Sequence, residues 1–230
     1  LALLNPAAGY AGVASGSDGL QVVDLQLRWK HQFQFAGYYA ALEKGFYREA
    51  GLDVRLHEGG AGKVPVDEVL GGRALYGVAN SEVLYERLRG RPLVALAAIF
   101  QHSPSVLLAR ADSGIRTPHD LIGKRVMLMS GKHDSDFYAM FLREGIKPEG
   151  INVLPTSYDI GDLVSGKVDA FNSYLTNEPF FLKQLGVDHV AINPSHYGID
   201  YYGDILFTTE NELDRNPDRV EALRVATLRG

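Results

Sequence analysis

Strand-period and helix-period segments alternate along this chain, and that order constrains its fold more than any other feature. VVDLQLRW (22–29) places Val23, Leu25, Leu27 and Trp29 on one face, the period of a strand. Residues 36–50 follow with Tyr39, Leu42 and Phe46 at helical spacing, and Gly51 is the expected C-cap. LDVRLHEG (52–59) alternates again. A short helix from Pro65, a strand at 74–80, a helix at 81–89 starting at Ser81, and strands at 93–100 and 105–110 complete a first half. A second run repeats the order, with a helical turn at 119–123, strands at 124–130, 151–155, 168–173 and 188–193, and helices at 134–145, 159–166 and 177–186. This pattern predicts an α/β protein with parallel-rich sheets flanked by helices on both faces.

The two halves also match in detail. VLGGRALYG (69–77) aligns with LVSGKVDAF (163–171). Each has apolar residues at a helix end, then a glycine (Gly72 or Gly166), a basic residue (Arg73 or Lys167) and a strand. The glycine suits a left-handed helix stop, and the base suits a helix C-terminus. Two similar lobes are therefore expected. Ligands of open α/β sheets lie beyond the carboxyl ends of the strands, so two facing lobes would form a ligand cleft.

Composition removes several function classes. With 23 basic and 28 acidic residues the formal charge is −5, which disfavours nucleic acid as a partner. There is no cysteine, so thiol catalysis and cysteine-ligated metals are excluded. The longest apolar run, LVALAAIF (93–100), is far short of the roughly 20 residues that span a bilayer, and no membrane insertion is expected of this segment. Residues 1–21 read as an export-signal remnant or a disordered tail. Residues 217–230 read as a helix stopped by the chain end, with more chain expected beyond. GGAGKV (59–64) lacks the glycine and the Ser/Thr of a phosphate loop, and no GxSxG elbow is present. The seven histidines have no metal-binding spacing, and HDSD (133–136) reads as a helix cap.

LQLRWKHQFQFAGYYAALEKGFYREAGLDV (25–54) resembles the opening of the solute-binding family that includes thiamine-pyrimidine-precursor binding proteins and the eukaryotic thiamine pyrimidine synthases. The matching features are Trp29 at the strand end, the turn Phe35–Gly37–Tyr38–Tyr39, Gly45–Phe46–Tyr47 and Gly51–Leu52. The wording around Trp29 is especially similar to versions fused to bacterial sensor kinases and diguanylate cyclases. NEPF (177–180) resembles the second-lobe signature. The resemblance implies the two-lobed type II periplasmic-binding-protein fold, the Venus flytrap. Lobe one would be 22–109 plus 203–230, lobe two 110–202, with crossings near 109–111 and 200–204. It also implies a periplasmic or extracytoplasmic protein that closes on a small molecule. The partner would be a transporter permease, or a membrane-coupled kinase or cyclase in the same polypeptide.

Candidate ligand-binding residues follow from both readings. Trp29 ends the first strand, where the family's aromatic stacks on the ligand; the alternative is a core residue. Glu178 would accept hydrogen bonds from an aminopyrimidine; the alternative is a helix cap. Tyr39, Tyr174 and Tyr202 are candidate walls. Asn80 and Ser81 follow the third strand at a helix start, where they either meet the ligand or simply cap the helix. Ser130 and Gly131 hold the matching place in the second half. His31 and Asp204 complete the set.

Catalysis and cofactors are not expected. The pyridoxal-phosphate chemistry of the eukaryotic members needs a lysine and a histidine where this chain has Ala79 and Val83, and no lysine lies between residues 64 and 123. A different ligand, such as a sulfonate or another anion, is the alternative within the same fold.

Overall fold

The computed structural model describes residues 19–60, 62–129 and 134–230. In chain order the strands are β1 (Gln21–Gln26), β2 (Leu52–His57), β3 (Tyr76–Ala79), β4 (Leu93–Phe100), β5 (Ser105–Arg110), β6 (Arg125–Leu128), β7 (Asn152–Pro155), β8 (Ala170–Tyr174), β9 (His189–Ile192) and β10 (Gly203–Thr209). The helices are α1 (Ala36–Glu43), α2 (Phe46–Glu49), α3 (Pro65–Leu70), α4 (Glu82–Leu88), α5 (Ser135–Arg143), α6 (Gly161–Val164), α7 (Glu178–Gln184), α8 (Glu210–Arg215) and α9 (Pro217–Arg229). They form two five-stranded sheets, ordered β2-β1-β3-β10-β4 and β7-β6-β8-β5-β9.

The sheets are mixed, each with one reversed strand. β1 pairs in parallel with β2 and β3, while β10 runs antiparallel to β3 and β4. β6 pairs in parallel with β7 and β8, while β5 runs antiparallel to β8 and β9. The reversal has a topological cause. β5 and β10 are the strands the chain enters directly from a crossing between the sheets. A strand entering from the end where its parallel neighbours finish must run the other way. This corrects the expectation that residues 105–110 complete the first half: Ser105–Arg110 belongs to the second sheet. The first crossing is therefore at 101–104, not at 109–111. The two crossings lie side by side, with the Ser103 N–H donating to the Tyr201 carbonyl at 2.7 Å and His102 Nδ1 lying 2.7 Å from Asp200 Oδ2.

The internal match at 69–77 and 163–171 has the same geometry in both copies. Gly72 and Gly166 are left-handed, at φ 70° and 72°. Arg73 pairs with Glu68 at 2.9 Å, and Lys167 with Asp162 at 3.0 Å. The base thus bridges to an acid five residues earlier, and in Arg73 also reaches the Asp67 carbonyl at 3.1 Å. The expected helix at 36–50 is split into α1 and α2 at Gly45, whose φ is 75°. β10 and α8 carried no sequence expectation. The buried Arg219–Glu212 pair, at 2.7 and 2.8 Å, together with the Tyr76 hydroxyl on Glu212 at 3.0 Å, ties α8 and α9 to the first sheet.

β1 is buried on both faces. Val23, Leu25 and Leu27 fill one side. On the other, Gln26 and Arg28 are 3% and 5% exposed. The strand end is further enclosed by Gly59, whose N–H donates to the Trp29 carbonyl at 2.9 Å. A Cβ on Gly59 would lie 2.4–2.6 Å from Arg28 and Trp29 backbone atoms. Gly59→Ala is therefore expected to cost about 1–3 kcal/mol and to displace the segment carrying both side chains. Denaturant unfolding checks it, and unchanged stability would refute the tight contact.

Candidate functional site

The strand ends that point between the sheets use one device three times. The last backbone N–H groups of β3, β6 and β8 turn back onto an acid at the start of the next helix. Asn80 N–H donates to Glu82 Oε2 at 2.9 Å, Tyr174 N–H to Glu178 Oε2 at 2.9 Å, and Met129 N–H to Asp134. These contacts satisfy donors that the strands leave open. They also deliver three carboxyl groups into one buried region.

That region holds a small, partly open cavity of about 20 Å³. Arg28, Trp29, Gln32 and Gln34 line it from the first half, and Ser105, Asp134, Asn172, Ser173, Tyr174 and Glu178 from the second. A more open hollow next to it shares Trp29, Gln32 and Glu178 and adds Tyr158 and Phe181. Trp29 packs against Tyr158 with ring centroids 4.5 Å apart and planes tilted by 50°. Tyr158 and Asp204 are the non-glycine residues with left-handed backbones among the described residues, at φ 60° and 45°. Strain of this kind collects at ligand sites; here Tyr158 lines the adjoining hollow and Asp204 sits in the seam behind the cavity.

The halves touch through a polar seam. The Tyr174 hydroxyl meets Asn80 Oδ1 at 2.7 Å and Asp204 Oδ1 at 2.9 Å. Ser81 and Ser135 hydroxyls lie 2.6 Å apart, and Asn177 donates to Gln34 at 3.0 Å. Tyr174→Phe removes both hydrogen bonds to Asn80 and Asp204, so it is expected to cost about 1–3 kcal/mol. Chemical denaturation measures this, and an unchanged midpoint would show that the seam contributes nothing net.

Burial dominates the electrostatics. It pushes Asp134 up to about 8, Glu82 up to about 7 and Asp204 up to about 6, with the Arg28 charge holding each partly down. Asp136 and Glu178 are raised for the same reason; a Ser105 hydrogen bond opposes the shift in Asp136 and the Tyr174 N–H in Glu178. Burial works against the Arg28 charge, but facing Tyr174, Glu82, Asp204 and Asp134 more than offset it, and Arg28 stays charged.

Trp29, Tyr174 and Glu178 line the cavity, and Glu178 caps the strand end as well. Asn80, Ser81 and Asp204 lie behind it in the seam. His31 and Tyr39 do not line it: they hydrogen-bond each other on the exposed side, and the His31 N–H donates to Glu58. Tyr202 is 56% exposed and also stands off the cavity. The side chains of these three stand off the cavity wall. Ser130 and Gly131 fall outside the described residues. Sequence reasoning missed Arg28, Gln32, Gln34, Ser105, Asp134, Asn172 and Ser173. Among the described residues, no group of three or more His, Asp or Glu is placed to hold a metal.

Known proteins share this architecture. The formylaminopyrimidine-binding protein of Halalkalibacterium halodurans is 25% identical over all of this chain, which spans 71% of that protein. The riboflavin-binding protein RibY of Chloroflexus aurantiacus is 25% identical over 92% of the chain, which spans 62% of it. Among solved structures, a Bordetella bronchiseptica RB50 protein superposes with TM-score 0.77 at 21% identity, over 90% of this chain and 70% of that one. The alkanesulfonate-binding protein SsuA of Xanthomonas axonopodis pv. citri, bound to MOPS, gives 0.70 at 15% identity over 95% and 74%. The fold is the two-sheet periplasmic-binding-protein fold. The NMT1/THI5-like family profile matches residues 32–230, and the chain belongs to that family.

Proposed function

We propose that this chain binds a small nitrogen heterocycle, an aminopyrimidine related to thiamine precursors, and that it binds without catalysing a reaction. The observation that carries this reading is a cavity whose walls come from both halves, with Trp29 on one side and Asn172, Tyr174 and Glu178 on the other. A ring stacked on Trp29 would meet acceptors at its edge. At about 20 Å³ the cavity has room for little more than a water molecule, so a ring enters as the two halves part. Relatives named for formylaminopyrimidine and riboflavin binding support a flat heterocycle.

A relative in Legionella pneumophila, 27% identical over 90% of this chain, is named as a pyrimidine phosphate synthase. The family resemblance puts Ala79 and Val83 where the eukaryotic synthases carry their lysine and histidine, and both are buried among apolar side chains. No amine is available there for a Schiff base. An anionic ligand is the second reading, favoured by Arg28 in the cavity wall and by the sulfonate-binding neighbour. The acids around Arg28 weigh against it.

Ligand contact with both halves would favour the closed form by differential affinity. An extracytoplasmic setting fits this role, with closure read by a transporter permease or by a kinase or cyclase joined to the same chain. Calorimetric titration with hydroxymethyl-aminopyrimidine, formylaminopyrimidine, thiamine and taurine tests the reading. Saturable binding of a pyrimidine is expected. Silence from a folded sample toward every pyrimidine would end the pyrimidine assignment.

A further inference from the structure

Two buried polar side chains on the cavity wall lack the hydrogen bonds their burial demands. Arg28 is 5% exposed, and its Nε has no partner. Its one hydrogen bond among the described residues is a long contact from Nη2 to the Met129 sulfur at 3.5 Å. The Tyr174 ring lies 5.1 Å from the guanidinium carbon. Glu82, Asp134 and Asp204 attract Arg28 by charge, without a hydrogen bond to its fork. A buried guanidinium offers five donors in a fixed plane and ordinarily uses them on an oxygen partner. The second orphan is Asn172, 5% exposed, whose Oδ1 has no partner.

The neighbouring amides are engaged. Gln32 donates to Gln34 at 2.6 Å, Gln34 to Asp204 at 3.3 Å, and Asn177 to Gln34 at 3.0 Å. On the cavity wall the unmade bonds are thus one donor group and one acceptor; the third among the described residues, the Tyr38 hydroxyl, lies off the wall. Buried polar groups left unpaired are costly, and their persistence needs an explanation. A ligand that completes both supplies one.

We propose that Arg28 is the ligand-selecting residue of this cavity: the ligand brings an acceptor oxygen, carbonyl or acidic, to the guanidinium and a nitrogen-bound hydrogen to Asn172. This rests on the small-ligand reading above and narrows it. The Arg28 requirement for an acceptor holds whichever way the Asn172 amide is turned. Among aminopyrimidines, a formylamino substituent carries both groups side by side, whereas an aminomethyl substituent has no acceptor oxygen. The acids around Arg28 hold the guanidinium charged and in place, so they assist the selection without contacting the ligand oxygen.

The test titrates the 230-residue chain with four probes: formylaminopyrimidine, its aminomethyl counterpart, riboflavin and taurine. Wild type is compared with Arg28→Lys, which keeps the buried cation but loses the fork, and with Asn172→Ala. Circular dichroism establishes that each variant is folded. Wild type is expected to prefer the formyl compound over the aminomethyl one by about 10- to 100-fold, the scale of one hydrogen bond to a charged group. Arg28→Lys should erase that preference, and Asn172→Ala should weaken the formyl compound alone. If both pyrimidines bind wild type and Arg28→Lys equally well, the Arg28 inference is overturned and the pyrimidine reading stands. If neither pyrimidine binds but riboflavin or taurine does, with loss in Arg28→Lys, the pyrimidine reading fails and the Arg28 inference stands. A probe that binds wild type and Arg28→Lys with the same affinity counts against Arg28 whatever its class. Silence toward all four probes overturns both.

Discussion

Trp29→Ala is expected to lower ligand affinity by about 30- to 1,000-fold, the 2–4 kcal/mol carried by a buried aromatic anchor at a binding site. The ring borders both the cavity and the adjoining hollow, so a ligand in either position meets it. Its plane is held by Tyr158 at 4.5 Å, which keeps the stacking surface from turning away. Trp29 also packs in the same apolar cluster as Leu27 and Phe35, so the substitution destabilises the first half as well. Two roles must therefore be separated. Affinity is measured at a temperature where the variant is fully folded, and Trp29→Phe is run beside it. A ring of smaller area should restore stability more than it restores affinity. Undiminished affinity in a folded Trp29→Ala chain would make Trp29 a core residue and nothing more.

The order of strands and helices was legible because burial imposes period on sequence, and period survives without any knowledge of partners. Strand direction leaves no such mark. LVALAAIF and SVLLAR both read as strands, and only the crossing between them decides that β5 joins the second sheet. The site was partly legible on the same terms. Trp29 could be placed because strand ends point into the cleft, and Glu178 because NEPF resembles the family's second-lobe signature. Arg28 could not, because alternation puts it on the face opposite Leu27, which looks like solvent when one strand is read alone. Yet an inner strand of a parallel-rich sheet is covered on both sides. Gln26 and Arg28 on the second face of such a strand were the available signal of a polar interior. GGAGKV misled in a similar way. It fails as a phosphate loop, and the work of Gly59 is to let its backbone lie against Arg28 and Trp29. His31 and Tyr39 were lost for a local reason, since their mutual hydrogen bond turns both away from the cleft.

Raising the pH from 5 to 8 is expected to open the ligand-free cleft and to lower the melting temperature. The closed form buries Glu82, Asp134, Asp136, Asp204 and Glu178 around Arg28, the cation that faces them among the described residues, with the Tyr174 phenol among them. Burial raises these carboxyls, to about 8 for Asp134, 7 for Glu82 and 6 for Asp204. In the open or unfolded chain they would titrate near the ordinary carboxylate range, roughly 4. Between pH 4 and 8 the closed form therefore holds more protons than the forms it competes with. Stability then falls as pH rises, because the slope follows protons bound unfolded minus protons bound native, here a negative number. The contribution is intact below about pH 4 and is lost through the raised values, between pH 6 and 8. One group losing its proton over two pH units costs about 2.7 kcal/mol, or roughly 5–10 °C in a chain of this size. Asp134→Asn keeps the shape and removes the group raised to about 8, so it should flatten the upper part of the profile. X-ray scattering reads the cleft directly: the radius of gyration without ligand should be smaller at pH 5 than at pH 8. Equal dimensions and equal melting temperatures at the two pH values would mean that water reaches these carboxyls in the closed form and that burial does not set their titration.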